Sequence, residues 1–308
     1  MSNQPATNHD NQLNMINKND YTYGEDITIN PGLSKIIQVN GVTGKIYTHD
    51  IATNQGRIVI GYTADKKLDF YHIIQDPEGA NAINTLEEMG VEAVKNILRI
   101  NPGHGVNVLI NQPTNNETIA DGIIETTGRP VMLAPADCLG VCIVHPGTGV
   151  YGIFHAGRAG IAENLAAKFL YMIMDEIKEM GGNPNDMQIF IPPHIRGYEY
   201  PHANNNFFKT KTEGIDPATG EPIEEDNWWG LNPEFAPQGA DGKYHPDIGK
   251  AVVAQIRKAV GHKIPITAAN LTTYGGNGGV SHSRAQAKLP VGEINTRRNM
   301  VTIAFIPN

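Results

Sequence analysis

Cysteine is scarce in this sequence, and its scarcity excludes several classes of protein. Only Cys138 and Cys142 occur among the 308 residues, so a secreted scaffold held together by disulfides is excluded. On an extended strand two positions four residues apart lie about 13 Å from each other, too far for a disulfide or one shared metal ion. We therefore expect Cys142 to be a buried apolar residue, and the default compartment is the cytoplasm.

Long apolar runs and an excess of basic residues are also missing. No stretch of about eighteen apolar residues exists, so no membrane span is predicted, and the N-terminus lacks a signal-peptide pattern. The formal net charge is −8 with no basic stripe to offset it, which argues against nucleic-acid binding by phosphate neutralisation. Walker A and G-x-G-x-x-G signatures are absent as well. The oligomeric state stays open.

The remaining composition is that of an ordinary globular protein, with 40% hydrophobic and 18% charged residues. Residues 1–25 are polar and predict a disordered tail. Residues 26–308 show no repeat and no compositional break, so one domain is predicted. Within it, residues 203–242 are interpreted as a long loop insertion, which Trp228 and Trp229 could anchor.

Residues 131–180 form the segment around which the chain is organised. Two apolar runs, 139–144 and 150–154, predict buried strands, and apolar residues at helical spacing predict one helix over 161–180 that stops at Gly181. Elsewhere, apolar patterns predict helices over 83–98 and 248–260 and strands at 35–39, 45–49, 57–62, 70–74, 106–110, 187–191, 264–271 and 300–306.

Residues that can do chemistry border these strands. Cys138 precedes the first strand, His155 follows the second, and His104 lies in a loop beside a glycine. Two imidazoles and one thiolate suit Zn²⁺, with the fourth tetrahedral position open. Residues 156–160 carry so little side chain that they predict a turn with exposed amides at a helix start, which can bind an anion.

The same residues also suit a Cys-His hydrolase, in which Cys138 is the nucleophile and His155 the base. The sequence does not separate a thiolate ligand from a thiolate nucleophile. The zinc deaminase signature, H-x-E with P-C-x-x-C, is absent. Blue-copper sites use two histidines and one cysteine too, but the tandem H-x-H of copper oxidases is also absent.

The order of short motifs resembles the laccase-domain family, once called multicopper polyphenol oxidases and later recognised as zinc-dependent purine nucleoside enzymes. The likeness runs from about residue 45 to 308 and is strongest over 120–200. The matching segments are His104-Gly105, Ala120-Asp121, Ala136-Asp137-Cys138, HAGRAG at 155–160, PPHI at 192–195, Tyr198-Glu199, YHPD at 244–247, Thr272-Thr273, SHSR at 281–284 and Arg297-Arg298.

Five positions, in four segments, depart from the family pattern. The usual Gln two residues before the metal histidine is Pro102, and the Trp-Arg of the glycine turn is Arg158-Ala159. The cysteine of a Cys-Thr pair is Thr272, and the first of two arginines is Ser283. The metal triad is thus intact, whereas its surroundings are altered.

The resemblance implies a fold and a site. The fold would be a single α/β (α+β) domain of packed mixed β-sheets flanked by helices. His104, Cys138 and His155 would bind Zn²⁺, and Cys138, His155 and Asp137 would be catalytic. Asp121 and Asp137 would orient the histidines or merely cap turns. Phosphate and substrate would be bound by Gly157, Arg158, Gly160 and Arg284.

The implied substrates are a purine nucleoside and phosphate, and the implied reactions are phosphorolysis of the N-glycosidic bond and deamination of adenosine. Two alternatives remain. One is a cysteine-dependent hydrolase that edits cell-wall precursors, a role attributed to bacterial members of the family. The other is a metal-binding homologue that has lost catalysis.

Overall fold

The computed structural model describes residues 22–274 and 298–308, apart from residues 25, 40, 64, 66, 69, 71–75, 77–79, 92–95 and 116 and the side chain of residue 81. Residues 1–21 of the predicted tail, most of the predicted strand at 70–74, and Arg284 lie outside the described residues.

Within these ranges the chain forms five α-helices and fifteen strands. The helices are α1 (Ala80–Glu88), α2 (Arg158–Ala162), α3 (Leu165–Glu179), α4 (Trp228–Leu231) and α5 (Ile248–Val260). The strands are β1 (Ile27–Ile29), β2 (Leu33–Val39), β3 (Val42–Thr53), β4 (Gly56–Thr63), β5 (Leu98–Ile100), β6 (Val108–Ile110), β7 (Gly122–Glu125), β8 (Val131–Leu133), β9 (Leu139–Val144), β10 (Tyr151–Ala156), β11 (Gln188–Ile191), β12 (Lys209–Ile215), β13 (Pro222–Asp226), β14 (Ile266–Ala268) and β15 (Val301–Pro307).

Most strands belong to two mixed sheets. A seven-stranded sheet has the order β1-β14-β11-β9-β10-β7-β6, and a six-stranded sheet has the order β2-β3-β4-β15-β8-β5. Each sheet contains parallel and antiparallel pairs. In the seven-stranded sheet β10 is antiparallel to β9 and β11 is parallel to β14, and in the six-stranded sheet β15 is antiparallel to β4 and β5 is parallel to β8. This arrangement confirms the prediction of packed mixed sheets flanked by helices.

The strands at the centre are apolar because they face two cores. Cys142 and Tyr151 of the seven-stranded sheet share one core with Ile60 and Ile303 of the six-stranded sheet. The alternate residues of β9 face the opposite side, where helices α3 and α5 cover the sheet. Since every side chain of β9 is buried, a continuous apolar run replaces the usual alternation.

The single helix predicted over 161–180 is wrong in one respect, because the structure contains two helices there. Helix α2 ends at Ala162, and α3 begins at Leu165 after Asn164, which has φ +58°. Asparagine enters the left-handed region more readily than most residues, so it can interrupt a helix without a glycine. The break separates the short α2, which follows His155, from the long α3, which covers the sheet.

The helix predicted over 83–98 is also shorter than expected. It runs from Ala80 to Glu88, and Leu98 already begins strand β5. Gly90, with φ +91°, follows the helix at once and takes the chain out of the helical path.

The interpretation of residues 203–242 as a loop is wrong in part. This segment contains the β12–β13 hairpin and helix α4. The hairpin strands are largely exposed, so they carry no apolar face from which a strand could be predicted. The anchoring role of the tryptophans is confirmed, because Trp228 and Trp229 are both buried.

The tail predicted over 1–25 also extends too far, because Tyr23 is buried in the core of the seven-stranded sheet. Its hydroxyl accepts a hydrogen bond of 3.0 Å from Arg196 Nη1. A polar composition averaged over 25 residues does not reveal one aromatic anchor.

Candidate metal centre

The hairpin of β9 and β10 brings Cys138 and His155 together. Cys138 directly precedes β9, and His155 of β10 pairs with Gly140 of β9, so both residues lie at one end of the hairpin. The prediction placed His155 after its strand, but the strand continues to Ala156. The His155 amide therefore donates to the Asp121 carbonyl at 2.7 Å, which fixes its position.

His104 comes from the loop between β5 and β6. Its backbone has φ +62°, which directs the chain through a tight loop. The loop is held by Asp121, whose carboxylate accepts from the Asn107 amide at 3.2 Å. Helix α2 packs closely on it: a Cβ added to Gly160 would lie 3.1 Å from the Gly105 carbonyl oxygen.

These elements bring the three predicted metal ligands into one cluster. One ligand atom each from His104, Cys138 and His155 lies within 4.8 Å of the others. The two imidazole rings meet edge to face, with centroids 4.9 Å apart. Within the ranges that the structure describes, no other group of histidines, cysteines and carboxylates has this geometry.

The donor set fits a metal ion. Nδ1 of His155 is buried and has no hydrogen-bond partner among the described residues. Burial, and then the charges of His104 and Arg298, lower the pKa of His155 to about 3, so its imidazole is neutral. Neutral imidazole is the form that binds a metal, and a buried ring nitrogen without a partner is costly unless a ligand satisfies it.

The environment of Cys138 keeps its thiol protonated unless a cation is bound beside it. Burial, reinforced by the Asp137 carboxylate and opposed by Arg158 and Arg298, raises the pKa of the thiol to about 12. By itself such a thiol is protonated at neutral pH and is a poor nucleophile, which disfavours the Cys-His hydrolase. A cation in the cluster would reverse this, because coordination deprotonates a thiol.

The two aspartates hold backbone segments around the cluster. Asp137 accepts a hydrogen bond of 2.7 Å from Thr273 Oγ1, and its carbonyl accepts from the Ile195 amide at 2.9 Å. Asp121 binds the backbones of His155 and Asn107, while its buried Oδ1 has no partner among the described residues. That they orient the histidine rings stays a prediction.

The glycine turn beside the cluster differs from the predicted anion site. Gly157 is the N-cap of α2, but this helix has only five residues. The guanidinium of Arg158, rather than a long helix, therefore supplies the positive charge. Gly157 itself lies against the cluster: an added Cβ would lie 3.2 Å from both Cys138 Sγ and His155 Cε1.

Three residues near the cluster or Arg158 were not among the predicted site residues. The pKa of Tyr200 rises to about 12 through burial and then the neighbouring Cys138, and Arg298 lowers the pKa of both Cys138 and His155. His202 accepts a hydrogen bond from Arg158. Arg298 lay within the family resemblance, whereas Tyr200 and His202 carry no sequence signal.

Replacing Gly157 by alanine is expected to weaken metal binding at this cluster by about 10- to 100-fold. The backbone of Gly157, with φ −94° and ψ 174°, suits alanine, so the effect would come from the methyl group that contacts the cluster. Chelator competition measures the affinity. Gly105→Ala is the control, since its methyl would meet Asp121 Oδ2 at 3.4 Å, an ordinary contact. Equal metal affinities in the two variants would contradict the close contact between Gly157 and the cluster.

Comparison with known proteins defines the class. Residues 75–289 match the family model described as multi-copper polyphenol oxidoreductase laccase. Because the match covers more than half of the sequence, the chain belongs to this family.

The individual proteins that match this chain do so at low sequence identity. The chain is 27% identical over 139 residues to purine nucleoside phosphorylases of Mycobacterium bovis and Mycobacterium tuberculosis, a match that covers 43% of this chain and 54% of theirs. The chain therefore spans about half the length of the curated relatives that it matches.

Solved structures share the fold. YlmD from Geobacillus stearothermophilus aligns with a TM-score of 0.60 at 16% identity, covering 92% of this chain and 100% of YlmD. YfiH from Bacillus licheniformis aligns with a TM-score of 0.58 at 18% identity, covering 80% and 92%. In the described part of the chain, no helix has the length and apolarity needed to cross a membrane.

Proposed function

We propose that this chain is a zinc-dependent purine nucleoside enzyme that cleaves the N-glycosidic bond with phosphate, deaminates adenosine, or does both. The observation that carries the proposal is the cluster of His104, Cys138 and His155, in which buried Nδ1 of His155 has no hydrogen-bond partner in the described part of the chain. The purine nucleoside phosphorylases among the relatives support the substrate class.

Zinc fits the cluster better than copper does. Two imidazoles and one thiolate are common zinc donors, and three protein ligands leave the fourth position for catalysis. A multi-copper oxidase needs additional histidine clusters for further copper ions, and within the described ranges this is the one such group. A Zn²⁺ ion held there would supply Lewis-acid chemistry.

The surrounding residues would bind and orient the reactants. In phosphorolysis, a phosphate oxygen forms a bond to C1′ as the C1′–N9 bond breaks, and the purine takes up a proton. In deamination, water adds at C6 and ammonia leaves. The Arg158 guanidinium suits the phosphate anion, and we assign the same role to Arg284. We assign to the carboxylate of Asp137, next to Cys138 in the sequence, the role of accepting or holding a proton.

The first experiment is elemental analysis of purified wild-type protein beside His104→Ala. We expect about one zinc per chain in the wild type and its loss in the variant, because two ligands do not complete a zinc site. The control is His262→Ala, which alters an exposed histidine paired with Asp26. Adenosine and inosine assays with and without phosphate then identify the reaction.

Other outcomes would contradict the proposal. Metal-free protein whose activity survives chelation but not thiol alkylation would indicate the cysteine-dependent hydrolase. Zinc that raises the melting temperature without any nucleoside binding or turnover would indicate a homologue that has lost catalysis.

A further inference from the structure

The side chain of Arg158 is held by neutral groups. Its Nη1 lies 2.8 Å from Nδ1 and 3.1 Å from Nε2 of His202, and its guanidinium carbon lies 5.5 Å from the ring centroid of Phe207. None of the ion pairs among the described residues includes Arg158. Within the described ranges, its positive charge is therefore oriented but not paired with a carboxylate.

The imidazole of His202 is neutral while it accepts the hydrogen bond from Arg158. Burial, and then the charges of Arg158 and His245, lower the pKa of His202 to about 4. Arg158 is therefore the donor, and a ring nitrogen of His202 is the acceptor. By contrast, Arg129 is bound by the buried carboxylate of Glu125 at 2.8 Å, as expected for an arginine with a purely structural role.

The segment that follows residue 199 fixes His202 firmly. The His202 amide donates to the Tyr244 carbonyl at 2.8 Å, and the Tyr244 amide donates to the His202 carbonyl at 2.9 Å. The imidazole packs edge to face on Tyr200 and Phe207, at centroid distances of 4.4 Å and 5.5 Å. A histidine fixed by both backbone and ring can hold a guanidinium in one orientation.

The same segment also fixes the backbone of Arg158. Trp229 is fully buried, and its Nε1 donates to the Arg158 carbonyl at 2.9 Å. Arg158 directly follows Gly157, and a Cβ added to Gly157 would lie 3.2 Å from both Cys138 Sγ and His155 Cε1. The uncompensated charge is therefore next to the proposed reaction centre.

We propose that His202 is a positioning residue, which keeps the Arg158 guanidinium oriented and uncompensated so that it binds a phosphate group beside the metal. A nucleoside is neutral, so phosphate is the reactant that an unpaired guanidinium suits. On this proposal, the segment over 200–229 supports the phosphate site, because its residues His202 and Trp229 both bind Arg158. The inference rests on the proposed function, of which it specifies the anion site.

The test compares His202→Gln with His202→Asp in zinc-loaded enzyme. Glutamine keeps a neutral acceptor, whereas aspartate compensates the charge of Arg158. We expect His202→Asp to raise the KM for phosphate about tenfold or more, with zinc content and kcat at saturating phosphate near wild type. His202→Gln should stay within about threefold. Asn185→Asp, on an exposed turn, controls for an added negative charge.

Equal KM values for phosphate in His202→Asp and His202→Gln would overturn the inference. So would a change that falls on kcat or on zinc content instead, since this would indicate a structural role. Rescue of phosphate binding by glutamine is a result that a role in folding alone would not produce.

Calorimetric titration of the zinc-loaded variants with orthophosphate separates this inference from the proposed function. If no nucleoside is turned over but aspartate still weakens phosphate binding, the inference stands and the proposed function fails. If nucleosides are turned over and aspartate leaves phosphate binding unchanged, the inference fails alone. A parallel titration with adenosine monophosphate distinguishes free phosphate from a phosphate ester as the ligand.

Discussion

Replacement of Cys138 by serine is expected to abolish zinc binding and, with it, catalytic activity. A serine hydroxyl is a far weaker zinc ligand than a thiolate, and the two remaining imidazoles do not complete the site. The folded structure should persist, because Cys138 lies at a strand end and is partly exposed. Elemental analysis, circular dichroism and nucleoside assays on the same preparation measure all three properties.

The matched control is Cys142→Ala. Cys142 is fully buried on β9, with its side chain in the core between the two sheets. Its loss should lower stability while zinc content and activity per folded molecule remain. Full activity of zinc-free Cys138→Ser would rule out the metal mechanism.

Replacement of Trp229 by alanine is expected to give the largest loss of stability, about 3–5 kcal/mol. The indole is fully buried and packs edge to face on Trp228 and Phe207, with centroids 5.5 Å and 5.9 Å away. The change also removes the hydrogen bond to the Arg158 carbonyl, so phosphate binding should weaken along with stability. Denaturant titration measures the free energy of unfolding.

Leu231→Ala serves as the control from the same helix. Leu231 is 70% exposed, so its truncation should change stability by no more than about 0.5 kcal/mol. Similar unfolding midpoints for the two variants would show that helix α4 does not anchor the segment. Trp229→Phe should fall between them, since it keeps most of the apolar ring but loses the donor.

The central strands of the fold could be predicted because their residues are buried on both faces and are therefore apolar throughout. Strand β9 is buried on both faces, so its apolar run and its bounds follow directly from composition. The hairpin β12–β13 is the opposite case: its strands are held by backbone pairing and face water, which leaves no periodic signal. The break at Asn164 was missed because apolar residues continue on both sides of it.

The candidate site could be predicted only where its residues form short motifs. His104, Cys138 and His155 border strands and belong to motifs, and the structure brings them together. Tyr200 lies near Cys138, and His202 contacts Arg158, because a separate segment of the chain packs against α2. No local sequence pattern encodes that path. The contact between Arg158 and its neutral partner, His202, could therefore be identified only from the structure.

The left-handed backbone at His104 means that the folded protein bears conformational strain at one of its candidate metal ligands. A histidine at φ +62° costs on the order of 1 kcal/mol that a glycine would avoid. The folded protein carries this penalty with or without an ion, so the contacts that hold the loop, such as the one between Asn107 and Asp121, must offset it. The glycine that would best relieve the strain would remove a candidate metal ligand.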